Sequence, residues 1–114
     1  MSDPSKPVYL RLRDEIAAAI ITGRYREGEM LPSVRAFAAQ QGANPLTVAK
    51  AYQAFQLDGL IDVQRGVGMF VAAGAAVRLR QRERERFLAD EWPAITKKIS
   101  TLGLELSTLM ADLP

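Results

Sequence analysis

The side chains best suited to chemistry in this chain are the polar and basic residues spaced along one stretch, Leu31 to Val71. Arginine, lysine, serine, threonine and asparagine side chains donate hydrogen bonds to phosphate oxygens and to base edges, so the chemistry they favour is nucleic-acid recognition. The chain contains no histidine and no cysteine, which removes the commonest general base and every thiolate metal ligand. We therefore expect no enzyme activity, no metal site and no cofactor.

The net charge limits how such residues could attract nucleic acid, and the apolar runs indicate where in the cell the protein acts. The 15 basic and 13 acidic residues leave a net charge of only +2, so any affinity for DNA must come from where the basic residues lie. The longest apolar run, Ile16 to Ile21, is too short to span a bilayer, and the first residues lack the basic and apolar regions of a secretory signal. We expect a cytoplasmic protein without a membrane partner.

Two predicted helices and the turn between them position the polar residues. Ser33 is a good N-cap for the first of these helices, and Gly42 suits the turn that follows it. The buried stripe of this helix is expected at Val34, Phe37 and Ala38. Asn44 and Pro45 are favoured at the N-cap and the first position of the next helix. Its core stripe is expected at Val48, Ala51, Tyr52 and Phe55.

An amphipathic helix precedes this pair and a hairpin follows it. Apolar residues recur every four positions in a helix predicted over Val8 to Ile21, at Leu12, Ile16 and Ile20. Two short strands are predicted over Leu60 to Val63 and Met69 to Val71, joined by a glycine-rich turn. The fold predicted for residues 8–74 is a mostly α winged helix-turn-helix with a small β-hairpin wing.

Residues 75–114 are expected to form a C-terminal two-helix dimerisation arm. Five arginines from Arg78 to Arg86 alternate with glutamates, which is typical of a solvated helix with ion pairs, although contact with DNA phosphates stays open. Pro93 indicates a break or a helix start, and Gly103 a kink or a close helix approach. Apolar residues then follow spacings of three and four, which we call the heptad stripe: Trp92, Ile95, Ile99, Leu102, Leu106, Leu109 and Leu113. We expect the heptad stripe to pair with a second copy, with packing on the winged domain as the alternative.

Five motifs cover residues 7–71 in a fixed order: P-V-Y-x-x-L, L-P-S-V-R, N-P-x-T-V-x-K-A-Y, D-G-L-I and R-G-x-G-x-F-V. In this order and spacing they resemble the GntR family of bacterial transcription regulators, in particular its short YtrA-like branch. The resemblance implies a homodimer that binds a palindromic double-stranded DNA operator. It also implies a repressor of a neighbouring operon, often one for an ABC-type transporter, and of its own gene.

The expected DNA-binding residues lie at the start of the second helix, at the start of the third and at the hairpin tip: Ser33, Arg35, Asn44, Pro45, Leu46, Thr47, Lys50, Arg65 and Gly66. Leu46 stands where the resemblance suggests a polar residue, and it can pack only on a thymine methyl group. Lys50 stands where the family often has arginine, and its point charge suits a phosphate. Arg65 could enter the minor groove or contact a phosphate.

Three other interpretations arise from the same residues. The winged domain could dock a protein while the tail oligomerises it, and a steep fall of duplex affinity with salt would favour the DNA-binding regulator instead. Gly66 to Gly68 resembles a phosphate-binding loop, but it lies between strands and not before a helix, which disfavours a nucleotide site. A dimer cleft lined by Trp92 and the rest of the heptad stripe could hold a small effector, which the sequence does not identify.

Overall fold

The computed structural model describes residues 6–113, so Pro114 of the predicted tail lies outside the described residues. The winged region contains α1 (Val8–Ile21), α2 (Val34–Gln41), α3 (Pro45–Leu57), β1 (Ile61–Gln64) and β2 (Gly68–Val71). After it come α4 (Ala75–Arg86), a π-helical stretch (Phe87–Glu91), α5 (Trp92–Thr101) and α6 (Leu106–Ala111). This order confirms the predicted mostly α winged helix-turn-helix with C-terminal helices.

The chain divides into two compact units, of which the first ends at Arg80 and the second begins at Gln81. In the first unit α3 packs against α1, α2 and β1 around a single core. The largest side chains of this core are Leu12, Ile16, Ile20, Leu31, Phe37, Val48, Tyr52, Phe55, Leu60, Ile61, Val71 and Leu79. The apolar stripes predicted for the first three helices therefore lie in the core, apart from Val34, which is half-buried.

The core of the first unit also includes the start of α4. Ala75 and Leu79 are 0% and 1% exposed and belong to the same buried cluster as the residues of α3. A chain cut after Gly74 would remove both side chains from the core. The functional division of the chain between residues 74 and 75 stays a prediction.

The wing is an antiparallel hairpin with an additional bridge on its outer side. β1 and β2 pair from Ile61 opposite Val71 to Gln64 opposite Gly68. The connector between α1 and α2 joins β2 through a bridge between Met30 and Phe70. Since the connector leads directly into α2, this bridge fixes the hairpin next to the helix-turn-helix.

In the second unit, the heptad stripe is divided between two helices. Gly103 has a φ of 70°, and its N–H donates to the Ser100 carbonyl at 3.1 Å. The N–H of Leu104 donates to the Ile99 carbonyl at 3.0 Å. These two bonds form a Schellman motif, in which a left-handed glycine ends a helix. The helix therefore ends at Gly103 and does not kink there, so the heptad stripe does not run along a single helix. Close approach of another helix at Gly103 stays a prediction.

Pro93 lies in the first turn of α5, which continues from α4 and the π-helical stretch with no non-helical residue between them. The residue before α5, Glu91, is itself helical with a ψ of −45°, so Pro93 removes an N–H from within a helical run. The five residues before α5 adopt a π-helix, a wider turn that often interrupts an α-helix. The side chains of Phe87 and Trp92 face each other across this stretch, with ring centroids 6.1 Å apart.

Replacing Leu79 by alanine should lower the free energy of unfolding by about 2–5 kcal/mol, because the change leaves a cavity in the core. Val77 lies on the same helix but is 68% exposed, so Val77→Ala is the matched control. It should change the free energy of unfolding by less than about 0.5 kcal/mol. Urea unfolding followed by circular dichroism measures both. Equal effects of the two changes would show that α4 is not part of the core.

Candidate DNA-binding surface

The first turn of α3 is capped and exposed. Asn44 Oδ1 accepts a hydrogen bond from the Leu46 N–H at 2.8 Å, and Pro45 occupies the first turn. The cap satisfies one backbone N–H that the helix itself leaves without a partner. Leu46 is 73% exposed, Lys50 is exposed and Thr47 is half-buried. The predicted recognition residues therefore lie on the accessible side of α3.

The opposite face of α3 fixes the helix within the core and to the start of α2. The ring of Tyr52 stacks on Phe37 with centroids 5.7 Å apart, and its hydroxyl donates to the Pro32 carbonyl at 2.9 Å. Burial raises the pKa of Tyr52, and the nearby Tyr25 raises it further. The hydroxyl therefore stays protonated and can donate this bond. Because Pro32 directly precedes the N-cap of α2, this side chain links the second half of α3 to the start of α2.

α2 exposes a capped N-terminus beside α3. Ser33 Oγ accepts a hydrogen bond from the Ala36 N–H at 3.1 Å, which confirms its predicted role as the cap. Ser33 and Arg35 are both exposed, and α2 packs against α3. The cap residue, Arg35 and the first turn of α3 are thus carried by one packed pair of helices.

The wing tip is a tight turn that presents one arginine. Val67 N–H donates to the Gln64 carbonyl at 3.0 Å and closes the turn. Arg65 and Gly66, the two wing residues predicted to contact DNA, are exposed within it. This turn belongs to the same compact unit as α2 and α3, so the predicted DNA-binding residues all lie on one folded unit.

Two of the five arginines from Arg78 to Arg86 bind backbone carbonyls far away in the chain, which the sequence did not predict. Arg78 donates to two carbonyls just beyond α3, and Arg80 donates to the Ile21 carbonyl at the end of α1 at 3.3 Å. Their partners lie 19 to 59 positions away, so no local spacing reveals them. Arg86 lies 3.6 Å from Glu83, which is an ion pair of the kind that the spacing predicts.

The first unit has a groove of about 420 Å³ that is open to solvent beside Glu27, Asp62 and Phe70, and it also has a much smaller cavity. A cavity beside Tyr25, Phe37 and Tyr52 has a volume of about 30 Å³. Ligand pockets usually have about 300–1,000 Å³, so this cavity has room for water only. Within residues 6–113, no group of three or more acidic side chains could hold a metal ion. Across the same described range, no helix is both long and apolar enough to cross a membrane.

The second unit exposes apolar side chains along both of its predicted dimerisation helices. Ile95, Leu102, Leu106 and Leu113 are exposed, and Trp92, Ile99 and Leu109 are half-buried. Further exposed apolar residues that the sequence analysis did not single out are Phe87, Leu88, Leu104 and Met110. None of the described residues of this unit is buried.

Comparison with known proteins links this architecture to one family. A family model described as "Bacterial regulatory proteins, gntR family" matches residues 8–71. The chain is 30% identical to the HTH-type transcriptional regulator YhcF of Bacillus subtilis, over 88% of this chain and 81% of that protein. It is 35% identical to the HTH-type transcriptional repressor YtrA of Bacillus subtilis, over 66% of this chain and only 58% of that protein. A solved GntR family transcriptional regulator from Listeria monocytogenes has a TM-score of 0.75 and 27% identity, over 96% of this chain and 95% of that one.

Replacing Tyr52 by phenylalanine should destabilise the protein near neutral pH and matter less at alkaline pH. The change removes the bond to the Pro32 carbonyl, which should cost about 0.5–1.5 kcal/mol. The pKa of Tyr52 is raised in the folded state. The contribution of its hydroxyl is therefore complete below the unfolded pKa of about 10 and is lost as the pH rises beyond it.

Urea unfolding at about pH 8 and about pH 11 measures the difference in unfolding free energy between parent and variant. Val77→Ala, which changes an exposed side chain that does not titrate, is the control, and its effect should be the same at both pH values. A parent–Tyr52→Phe difference that grows at alkaline pH would contradict the assignment.

Proposed function

The chain belongs to the GntR family of bacterial regulatory proteins, and we propose that it represses transcription as a homodimer bound to a palindromic operator. The family consists of DNA-binding transcription regulators and not of enzymes. The observation that carries the proposal is the arrangement of α3, which is fixed in the core by one face while its first turn is exposed. Arg35 on α2 and Arg65 on the wing extend the exposed surface on the same unit.

Base recognition is assigned to the first turn of α3. Exposed Leu46 can pack on a thymine methyl group, and the Thr47 hydroxyl can bond a base edge. Asn44 and Pro45 fix the turn that carries them. Lys50 lies one turn further along, and its point charge suits a phosphate, so we expect it to contribute affinity with little base preference.

Contacts with the DNA backbone are assigned to α2 and the wing. Ser33 and Arg35 lie at the N-terminus of α2, where the helix dipole and the arginine both favour a phosphate. Arg65 and Gly66 form the exposed wing tip, which can reach the phosphates or the minor groove beside the recognition helix. Because the net charge is only +2, these few placed charges must supply most of the attraction to DNA.

The heptad stripe supports the proposed dimer. No described residue of the second unit is buried, although the unit carries many large apolar side chains. Burying each leucine or isoleucine against a second copy would contribute about 1.5–3 kcal/mol relative to exposure. A dimer would place two recognition helices on half-sites about one helical turn apart, and pairing can raise avidity by about 10²–10⁴.

The regulatory role is proposed from the relatives. YtrA of Bacillus subtilis is described as a transcriptional repressor, and repression by this chain would follow from occupation of a promoter. Resemblance to the YtrA-like branch supports a neighbouring operon, such as one for an ABC-type transporter, and the regulator's own gene as targets. We propose that the protein acts in the cytoplasm, where the bacterial chromosome lies, and we assign it no effector.

Arg35→Ala and Arg65→Ala should each weaken binding to a selected operator duplex by about 1–3 kcal/mol, since each removes one base or phosphate contact. Fluorescence anisotropy at one fixed salt concentration measures the affinity, and circular dichroism checks that the fold is intact. Arg26→Ala removes an exposed arginine from the turn after α1 and is the matched control. Unchanged affinity in both test variants would contradict this assignment.

Ile99→Asp combined with Leu106→Asp, made in the full-length chain, should give a monomer, because two charges would then lie on the proposed interface. The monomer should bind the operator about 10²–10⁴ times more weakly. Sedimentation equilibrium measures the oligomeric state, and footprinting measures operator binding.

The control for the charged pair is Ser100→Asp combined with Thr108→Asp, at exposed polar positions on the same two helices. It adds the same charge outside the heptad stripe and should leave the dimer intact. A test variant that stays dimeric, or a monomer that binds as tightly as the parent, would show that the tail has another purpose.

A further inference from the structure

The end of α3 is held by a residue outside the helix-turn-helix. Arg78 Nη2 donates to the Asp58 carbonyl at 2.7 Å, and Arg78 Nη1 donates to the Gly59 carbonyl at 3.3 Å. Both carbonyls follow the last turn of α3, where the helix dipole favours a cation. The planar guanidinium can bind two neighbouring acceptors at once, which a lysine ammonium does less well.

The backbone carbonyls in the turn after α3 each accept a hydrogen bond from another part of the chain. Gly59 has a φ of 74°, which a residue with a side chain rarely adopts, and it ends α3 in a Schellman motif. Leu60, the next residue, is fully buried, and its carbonyl accepts from the Ala72 N–H at 3.0 Å. Three successive carbonyls beyond α3 are therefore bound, two of them by Arg78.

The segment that carries Arg78 is itself held in the core. Leu79 follows it directly, and Ala75 lies one turn before it, and both are buried. Arg80 donates to the Ile21 carbonyl at the end of α1. Since α1 packs against α3, residues 75–80 fix the C-terminal ends of two packed helices at once.

We propose that Arg78 is a positioning residue for DNA recognition, which sets the direction of α3 without contacting DNA. This inference rests on the proposed role of the first turn of α3 in base recognition. α3 has 13 residues and is therefore about 20 Å long at about 1.5 Å per residue. Loosening one end of such a helix displaces the other end, and hydrogen bonds to bases weaken steeply with distance and angle. Loss of Arg78 should therefore weaken binding to the preferred sequence more than binding to any duplex.

The test uses full-length Arg78→Ala and Arg78→Lys, with Arg84→Ala as the matched control. Arg84 is exposed on the same helix, and its replacement removes the same charge. Affinities are measured for a duplex selected by the parent from a random pool and for a scrambled duplex. The measurements cover a salt series, at a temperature where thermal melting shows every variant to be folded.

Arg78→Ala should bind the selected duplex about tenfold or more weakly, with unchanged affinity for the scrambled duplex and an unchanged salt slope. Arg78→Lys should lose less, because an ammonium can bond one of the two carbonyls. Arg84→Ala should keep the parent's ratio of affinities for the two duplexes. If Arg78→Ala does not fold, the lysine variant alone decides, and a partial loss restricted to the selected duplex supports the inference.

Two results would overturn the inference. Equal weakening on both duplexes, with a salt slope smaller by about one, would show that Arg78 contacts a phosphate. Unchanged affinity for the selected duplex in folded Arg78 variants would show a role in stability alone. A parent protein that prefers no sequence would instead overturn the proposed function, which is a distinguishable outcome.

Discussion

The burial of one face of α3 is the constraint on which the proposed surface depends. Val48, Ala51 and Tyr52 lie in the core, so the opposite side of the helix must face outward. Tyr52 has two roles, because its ring stacks on Phe37 and its hydroxyl bonds the Pro32 carbonyl just before α2. A single buried side chain thus ties the second half of α3 to the start of α2, and these are the two helices that we propose to meet DNA.

The placement of the basic side chains must provide the attraction to DNA that the small net charge does not. A net charge of +2 provides little general attraction to a polyanion, so the few basic side chains must be held where phosphates and bases lie. The capped starts of α2 and α3 and the closed wing turn meet this need within the first unit. The second unit buries none of its described residues, and pairing of two chains would both cover its apolar face and double the DNA contacts.

The parts of the fold that follow local rules could be predicted from the sequence. The bounds of α1, the caps at Ser33 and Asn44 and the buried stripe of α3 depend on residues a few positions apart. The contacts of Arg78 and Arg80 could not be predicted, since they join residues distant in the chain. The helix end at Gly103 did have a signal, because Gly103-Leu104 repeats the Gly59-Leu60 pair that ends α3. The regular apolar spacing across Gly103 indicated a continuous helix instead.

Hydroxyl-radical footprinting of the full-length protein on a duplex selected from a random pool tests the central claim most directly. Sedimentation of the same complex gives the number of chains bound to each duplex. If two chains pair and each holds its recognition helix rigidly, we expect two protected half-sites centred about one helical turn apart, with two chains on each duplex. One protected half-site with a single chain bound at full affinity would contradict the account.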